Sequence, residues 1–385
     1  MSETFSINFN KTPRVLVLSL RNIEFAVSRS YTLEIEDTIT NFDRVETLVP
    51  AYFSGSQLNK FKNIIARNAF KTSGKGNGLN PIINNFNLEK EYDLFLYVCQ
   101  YPIDLLYLNT ISNWREKCKK AVCWLDEVWV KDVDKLKPQL LHLNKFDYIF
   151  TGLKASAEAI SKIVDVPCDY MPPGVDAIKF CPYPMQPHRS VDVCNLGRRW
   201  QSIHTELLDL VEERGIFYIY DTLDNKRMQD YREHRSLYRN ILKRSRYFIA
   251  CKPKVDLAYA QGQEETSVRF FEGAAAGAVM LGIPPNCDTY KQNFNWTDAT
   301  IALPDNGTGI SKIIAELDAQ PERLAKIRTD NIVNSLLRHD WVYRWGKILD
   351  IAGISHTPEM VSRQADLQNL AQIVQKKSCE LEVSF

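Results

Sequence analysis

The sequence predicts an α/β protein of two similar lobes, each a parallel sheet covered by helices. Three observations carry that expectation. Short apolar runs alternate with helical patterns from Arg14 to about Val166. The alternation begins again at Val191. Between Glu264 and Gly282 a loop, a helix and a buried strand follow one another directly.

In the first half, Arg14 to Leu20 is a β-branched and Leu-rich run of the kind buried on both faces of a parallel sheet. Ser28 to Phe42 follows with Tyr31, Ile35 and Ile39 at helical spacing, then Arg44 to Leu48 as a second strand. Lys71 to Leu79, rich in Gly, Lys and Asn, predicts a loop and lacks the spacing of a phosphate cradle. Tyr92 to Val98, Lys120 to Leu125 and Asp147 to Phe150 are further strands, Lys154 to Ile163 a helix, and Asp169 to Met171 a last short strand. Asp126 and Glu127 come directly after the Lys120 to Leu125 strand, at the carboxyl end where open α/β sheets bind ligands. They are either a substrate-contacting pair or a helix cap beside a solvated acid.

The second half gives strands at Val191 to Asn195, Phe217 to Tyr220 and Tyr247 to Ala250, and helices at Ser202 to Arg214 and Met228 to Lys243. Gly197, Arg198 and Arg199 form a turn after the first of these strands, where guanidinium forks suit phosphate oxygens. His204 reads as a surface helix residue. In the basic segment Lys226 to Arg246, Tyr231, Leu237, Ile241 and Leu242 supply the apolar stripe, which assigns the charges to a solvated face.

In the Glu264 to Gly282 run, Val268, Phe271 and Ala275 recur at helical spacing, and Gly277 stands where a left-handed residue would end the helix. Glu272 has Val268, Arg269, Ala275 and Ala276 as its helical neighbours, so it does not lie on an ordinary polar face and this carboxylate needs a partner. Gly273 to Ala276 leave room for close approach of backbone or ligand, and the helix start near Thr266 offers free amides to an anion.

Composition narrows the function. The chain has 385 residues, a formal charge of +1 and 45% hydrophobic residues, enough for two domains and without a global field for nucleic acid. Nine cysteines without a CxxC pair suggest reduced thiols and no structural disulfide. The N-terminus has no signal pattern and no stretch is apolar enough to span a bilayer, so a cytoplasmic protein is expected, with peripheral membrane contact left open.

Met171 to Pro182, MPPGVDAIKFCP, resembles the segment that joins the lobes of retaining GT-B glycosyltransferases of group 1. Glu264 and Glu272 resemble the pair of glutamates, with seven residues between them, that opens their donor helix. The form RFFEGAAAGA at Arg269 to Ala278 is most similar to the CgeB-like branch. The resemblance implies the GT-B fold, two Rossmann-like lobes with parallel sheets facing a central cleft. Residues 1–173 would form the acceptor lobe and 174–340 the donor lobe, with 341–385 as terminal helices, the first crossing back to the N-terminal lobe. It also implies a metal-independent, retaining transfer of a sugar from a nucleotide diphosphate, expected to be a UDP-sugar, with no other cofactor and an unidentified acceptor. Glu272 would bind the ribose hydroxyls, Glu264 the donor sugar, and Arg198 the departing diphosphate. Arg199, Arg269, Gly197, Glu265, Thr266 and Ser267 would complete the donor site.

The chain departs from that group twice. Ser19-Leu20-Arg21-Asn22 replaces a Gly-Gly loop, with Arg21 as an electrostatic substitute, and Leu125 stands where relatives carry His, leaving Asp126 as the nearest acid for a catalytic contact. A nucleotide-sugar epimerase and a noncatalytic nucleotide- or glycan-binding protein are the other two classes that fit.

Overall fold

A computed structural model of the chain describes residues 12–51, 57–74, 85–221, 228–254, 260–304 and 306–383. It divides into two compact units. The first comprises Met1–Pro172, Arg227–Tyr231 and Arg344–Val361, the second Pro173–Lys226, Arg232–Tyr343 and Ser362–Phe385.

The first unit runs β1 (Val15–Leu18), α1 (Ser30–Ile39), β2 (Val45–Leu48), α2 (Gln57–Ser73), β3 (Tyr92–Cys99), α3 (Trp114–Lys117), β4 (Cys118–Leu125), α4 (Val130–Leu140), β5 (Tyr148–Thr151), α5 (Lys154–Ser161) and β6 (Cys168–Tyr170). Its six strands are all parallel, in the order β2-β1-β3-β4-β5-β6. Leu16, Leu18, Phe95, Tyr97, Cys123 and Ile149 meet in a buried cluster on one face, and Val15, Val17, Leu94 and Leu96 are buried on the other, as expected of strands with both faces covered.

The second unit runs α6 (Ala177–Phe180), β7 (Val191–Asn195), α7 (Gln201–Arg214), β8 (Tyr218–Tyr220), α8 (Tyr231–Lys243), β9 (Ser245–Ile249), α9 (Val268–Ala275), β10 (Val279–Gly282), α10 (Asp288–Asn293), β11 (Ile301–Ala302), α11 (Ile310–Asp318) and α12 (Pro321–Arg338). The five strands are again parallel, ordered β11-β10-β9-β7-β8. In both sheets the strand order reverses beside the first strand, between β1 and β3 and between β7 and β9. The crevice at such a reversal is where open α/β sheets hold ligands.

Two helices finish the chain, α13 (Trp341–Ala352) and α14 (Pro358–Val383). The first unit takes the chain from Arg344 to Val361: the buried Trp345 indole donates to Asp43 at 2.9 Å, and Thr357 bonds the Phe42 carbonyl. Arg227–Tyr231 also belongs to the first unit, where the Met228 amide donates to Phe25 at 2.9 Å and Met228 and Tyr231 cover Leu33. The sequence pattern does not anticipate that excursion, because it reads Met228 to Lys243 as one helix whereas α8 begins at Tyr231.

Other elements differ in detail. Lys71 to Ser73 close α2 instead of opening a loop, since the helix continues Phe70 into the core; residues 75–79 lie outside the described residues. On α14 the buried side is Met360, Leu367, Ala371 and Val374, while Ile373 is exposed.

Candidate functional site

The loop leaving β7 begins the site. Gly197 has φ of +95°, a conformation that favours glycine, and a Cβ there would have to displace Nη2 of Arg269. The turn is pinned from both sides. Asp221 Oδ2 accepts the Gly197 N–H at 2.8 Å, and Arg269 Nη1 donates to the Arg198 carbonyl at 3.1 Å. Arg199 donates to the Asp221 carbonyl and lies over the Tyr220 ring at 5.4 Å. Arg198 differs from both. It is exposed, and among the described residues no hydrogen bond or ion pair engages its guanidinium. Of the three predicted arginines, two hold the turn and the third, Arg198, is exposed and unengaged among the described residues.

The second wall is the approach to α9. Glu264 is held by Lys252, from the loop after β9, and by the Asn286 amide at 2.9 Å. Glu265 turns inward, buried, and accepts from Gln263 Nε2 at 2.8 Å; Thr266 is buried beside Thr289 at 3.4 Å. Their side chains therefore serve the loop, and the donor contacts expected of this stretch are those of its backbone amides. Ser267 caps α9 by accepting from the Arg269 amide at 3.3 Å.

The helix is short because it ends as the sequence predicts. Gly277 has φ of +62°, its amide donates to Ala274 at 2.9 Å, and the Ala278 amide donates to Gly273 at 3.1 Å, the paired bonds of a Schellman stop. The small residues Gly273 to Ala276 accommodate the sheet, not a ligand: a Cβ on Gly273 would stand 2.7 Å from Phe248 and 2.9 Å from the Met280 sulfur.

Glu272 is 4% exposed. The partner it needs is Arg235, also 4% exposed, which pairs with Oε1, while the Tyr238 hydroxyl donates to Oε2 at 2.9 Å. Burial, then the charge of Glu272, pushes the Tyr238 hydroxyl well above its ordinary pKa, so it is a donor at any physiological pH. Phe180 lies under the Arg235 guanidinium at 5.0 Å and meets Tyr238 edge-on at 6.4 Å. These contacts correct the reading of α8: Arg235 points inward, and Leu237, assigned to the apolar stripe, is 61% exposed. His204 is likewise buried, its Nδ1 2.8 Å from the Tyr218 hydroxyl. A signal for Arg235 existed only in the unpartnered Glu272, which asked for a cation without saying which.

The Gly-Val-Asp turn has a structural use as well. Asp176 caps α6, and Arg363 bonds both Asp176 at 2.9 Å and Asp340 at 2.7 Å. That fixes the start of the helix that carries Phe180.

In the first unit, Asp126 follows β4, buried, with Gly152 so close that a Cβ would stand 2.6 Å from Oδ1. Burial, then the neighbouring Glu127 charge, pushes its carboxyl well above the usual range, against the opposing effect of Arg29. Arg21 is 2.9 Å from Asp37 and 3.0 Å from Glu36, so its charge is neutralised within the unit and does not replace a Gly-Gly loop. Among the described residues no three His, Cys, Asp or Glu side chains gather as a metal-binding group, and no helix is long and apolar enough to cross a membrane.

Two parallel-sheet units whose second member carries an arginine turn and a buried-glutamate helix at its strand reversal have the GT-B fold. Residues 196–350, which include every predicted site residue except Asp126, match the family described as glycosyl transferase-like. The fold is shared with HepE of Anabaena, solved in complex with UDP-glucose, at TM-score 0.51 and 10% identity over 88% of this chain and 99% of that one. An α-glucosyltransferase solved with UDP and a mismatched DNA gives TM-score 0.53 and 12% identity over 88% and 99%. A UDP-forming trehalose-phosphate synthase of Burkholderia vietnamiensis gives 0.51 and 11% over 89% and 100%. No curated protein sequence matches the chain.

Proposed function

We propose that the chain is a glycosyltransferase that takes its sugar from a nucleoside diphosphate donor, a UDP-sugar, held by the second unit, and passes it to an acceptor with retention and without a metal. The observation that carries the reading is the pairing of one unengaged arginine with a buried carboxylate at the same strand reversal. Arg198 offers a guanidinium to a diphosphate, and Glu272, with two of its acceptor positions filled, keeps others for a ribose diol. HepE and the α-glucosyltransferase, which share the fold, were solved with UDP-glucose and UDP respectively.

In this mechanism Arg198 stabilises charge that develops on the leaving diphosphate, the part a divalent cation plays in other transferases. Glu264, already oriented by Lys252 and the Asn286 amide, faces the donor sugar hydroxyls. The α9 amides near Ser267 add partial positive charge. Asp126, buried directly after β4, is the acid of the first unit proposed to meet a hydroxyl of the substrate.

The test is a thermal-shift and hydrolysis screen of the whole chain against common nucleotide sugars with EDTA present. A shift and slow hydrolysis with one donor, both lost in Glu272→Ala, support the reading. Binding without turnover would leave a nucleotide-binding protein, and no shift with any donor would remove the proposal.

A further inference from the structure

Glu272 has a surrounding that a ribose contact alone does not require. We infer that Arg235 and Tyr238 are positioning residues for the donor: from one side they fix the orientation of the Glu272 carboxylate, so that its opposite lone pairs meet the two ribose hydroxyls. This rests on the proposed nucleotide-donor reading and adds two residues of α8 to it.

Three observations support the assignment. First, a carboxylate buried to this degree in apolar surroundings would give up its charge or its place unless a cation lay beside it, and Arg235 is the cation that pairs with it. Second, the two oxygens are treated separately. Arg235 takes Oε1 and the Tyr238 hydroxyl takes Oε2, so rotation about the last bond of Glu272 would break both contacts. A carboxylate has about four lone-pair sites, of which these contacts use two. Third, the two donors are themselves fixed. They stand three residues apart on one face of α8. Phe180 packs against both, with the guanidinium 5.0 Å above its ring, and the Tyr238 ring is 5.7 Å from the same guanidinium. Phe180 in turn closes α6, whose cap Asp176 is tied to Arg363. The motif that joins the two units in sequence thus reaches the donor carboxylate through aromatic packing.

The experiment is calorimetric titration of the full chain with UDP and GDP, each beside its 2′-deoxy counterpart. The wild type is expected to bind one ribonucleotide about tenfold more tightly than its deoxy form, since a site built to bond a hydroxyl penalises its absence. Tyr238→Phe, which keeps the ring packing, and Arg235→Met should weaken the ribonucleotide about tenfold and leave the deoxynucleotide within about twofold, so that the ratio falls toward one. Arg235→Lys should recover part of the ratio. If Arg235→Met does not fold, Tyr238→Phe decides alone, because it removes one hydroxyl and no volume. Variants that bind nucleotide with the wild-type ratio overturn the inference and leave the donor reading intact. A wild type that binds no nucleotide, or whose ratio does not respond to Glu272→Gln, overturns both.

Discussion

The loops that leave the first strand of each sheet occupy the same place in the two units and treat their arginines in opposite ways. After β1, Arg21 is surrounded: Ser19 at 2.9 Å, Asp37 at 2.9 Å, Glu36 at 3.0 Å and the Tyr231 hydroxyl at 3.1 Å. After β7, Arg198 is exposed and unengaged among the described residues, while Arg269 and Asp221 hold only the backbone around it. One unit uses its arginine to hold α1 and the returning segment at Tyr231; the other leaves its arginine exposed and unengaged among the described residues. A shared topology therefore does not imply a shared anion site, and the presence of an internal carboxylate partner decides between them.

Reciprocal substitutions would sharpen the contrast most. Arg21→Ala should lower unfolding stability by about 3 kcal/mol at pH 8, because it leaves the Glu36 carboxylate buried without its cation. Arg198→Ala should move stability by less than about 0.5 kcal/mol and lower turnover about 100-fold or more, as loss of a charge-stabilising donor does. Chemical denaturation and donor hydrolysis on both proteins read the two effects. Arg198→Ala destabilising the chain while leaving turnover intact would invert the comparison.

The next effect depends on pH. Burial pushes the Glu36 carboxyl up to about 7 from an ordinary 4.5, even though Arg21 opposes the shift. Burial also works against the Arg21 charge, but Glu36 and Asp37 outweigh it and raise its pKa. Asp37, the more exposed carboxylate, shares Arg21. A folded pKa above the unfolded one means that protonated Glu36 contributes stability in full below about pH 4.5, and that the contribution is lost as pH rises through about 7. The stability difference between wild type and Glu36→Gln should therefore fall by on the order of 1 to 3 kcal/mol between those limits and stay flat above them. A difference that does not change from pH 5 to 8 would mean that Glu36 stays ionised against Arg21.

Much of this arrangement was legible in the residues. The strands were, because β-branched runs buried on both faces need no partner to be recognised, and Gly277 was, because a helix followed at once by a strand requires a left-handed stop. Glu272 was legible as a problem, a carboxylate among small apolar neighbours. Its solution was not, since Arg235 lies 37 residues away on a helix whose periodicity favours Leu237 as the inner residue. Periodicity ranks faces by hydropathy, and a buried ion pair reverses that ranking wherever the partner comes from another element. Arg21 was misjudged for the same reason: Glu36 and Asp37 stand on what reads as an ordinary helix, and Tyr231 arrives from the far half of the sequence.

The smallest predicted effect bears on the geometry that keeps Arg198 available. Gly197→Ala would place a methyl group where Arg269 Nη2 now lies and force an alanine to a φ near +95°. A backbone of that kind costs about 1 to 3 kcal/mol for a residue with a side chain, and the displaced Arg269 would release the Arg198 carbonyl. Stability should fall by about 1 to 2 kcal/mol, and donor turnover about tenfold, because the turn no longer presents its guanidinium in one orientation. Arg269→Ala separates the two causes. It removes the bond to the carbonyl without straining the backbone, so it should reproduce the loss of turnover with little loss of stability. If turnover survives Arg269→Ala, the orientation of Arg198 comes from Asp221 and the Gly197 amide alone, and the β7 turn is pinned from one side instead of two.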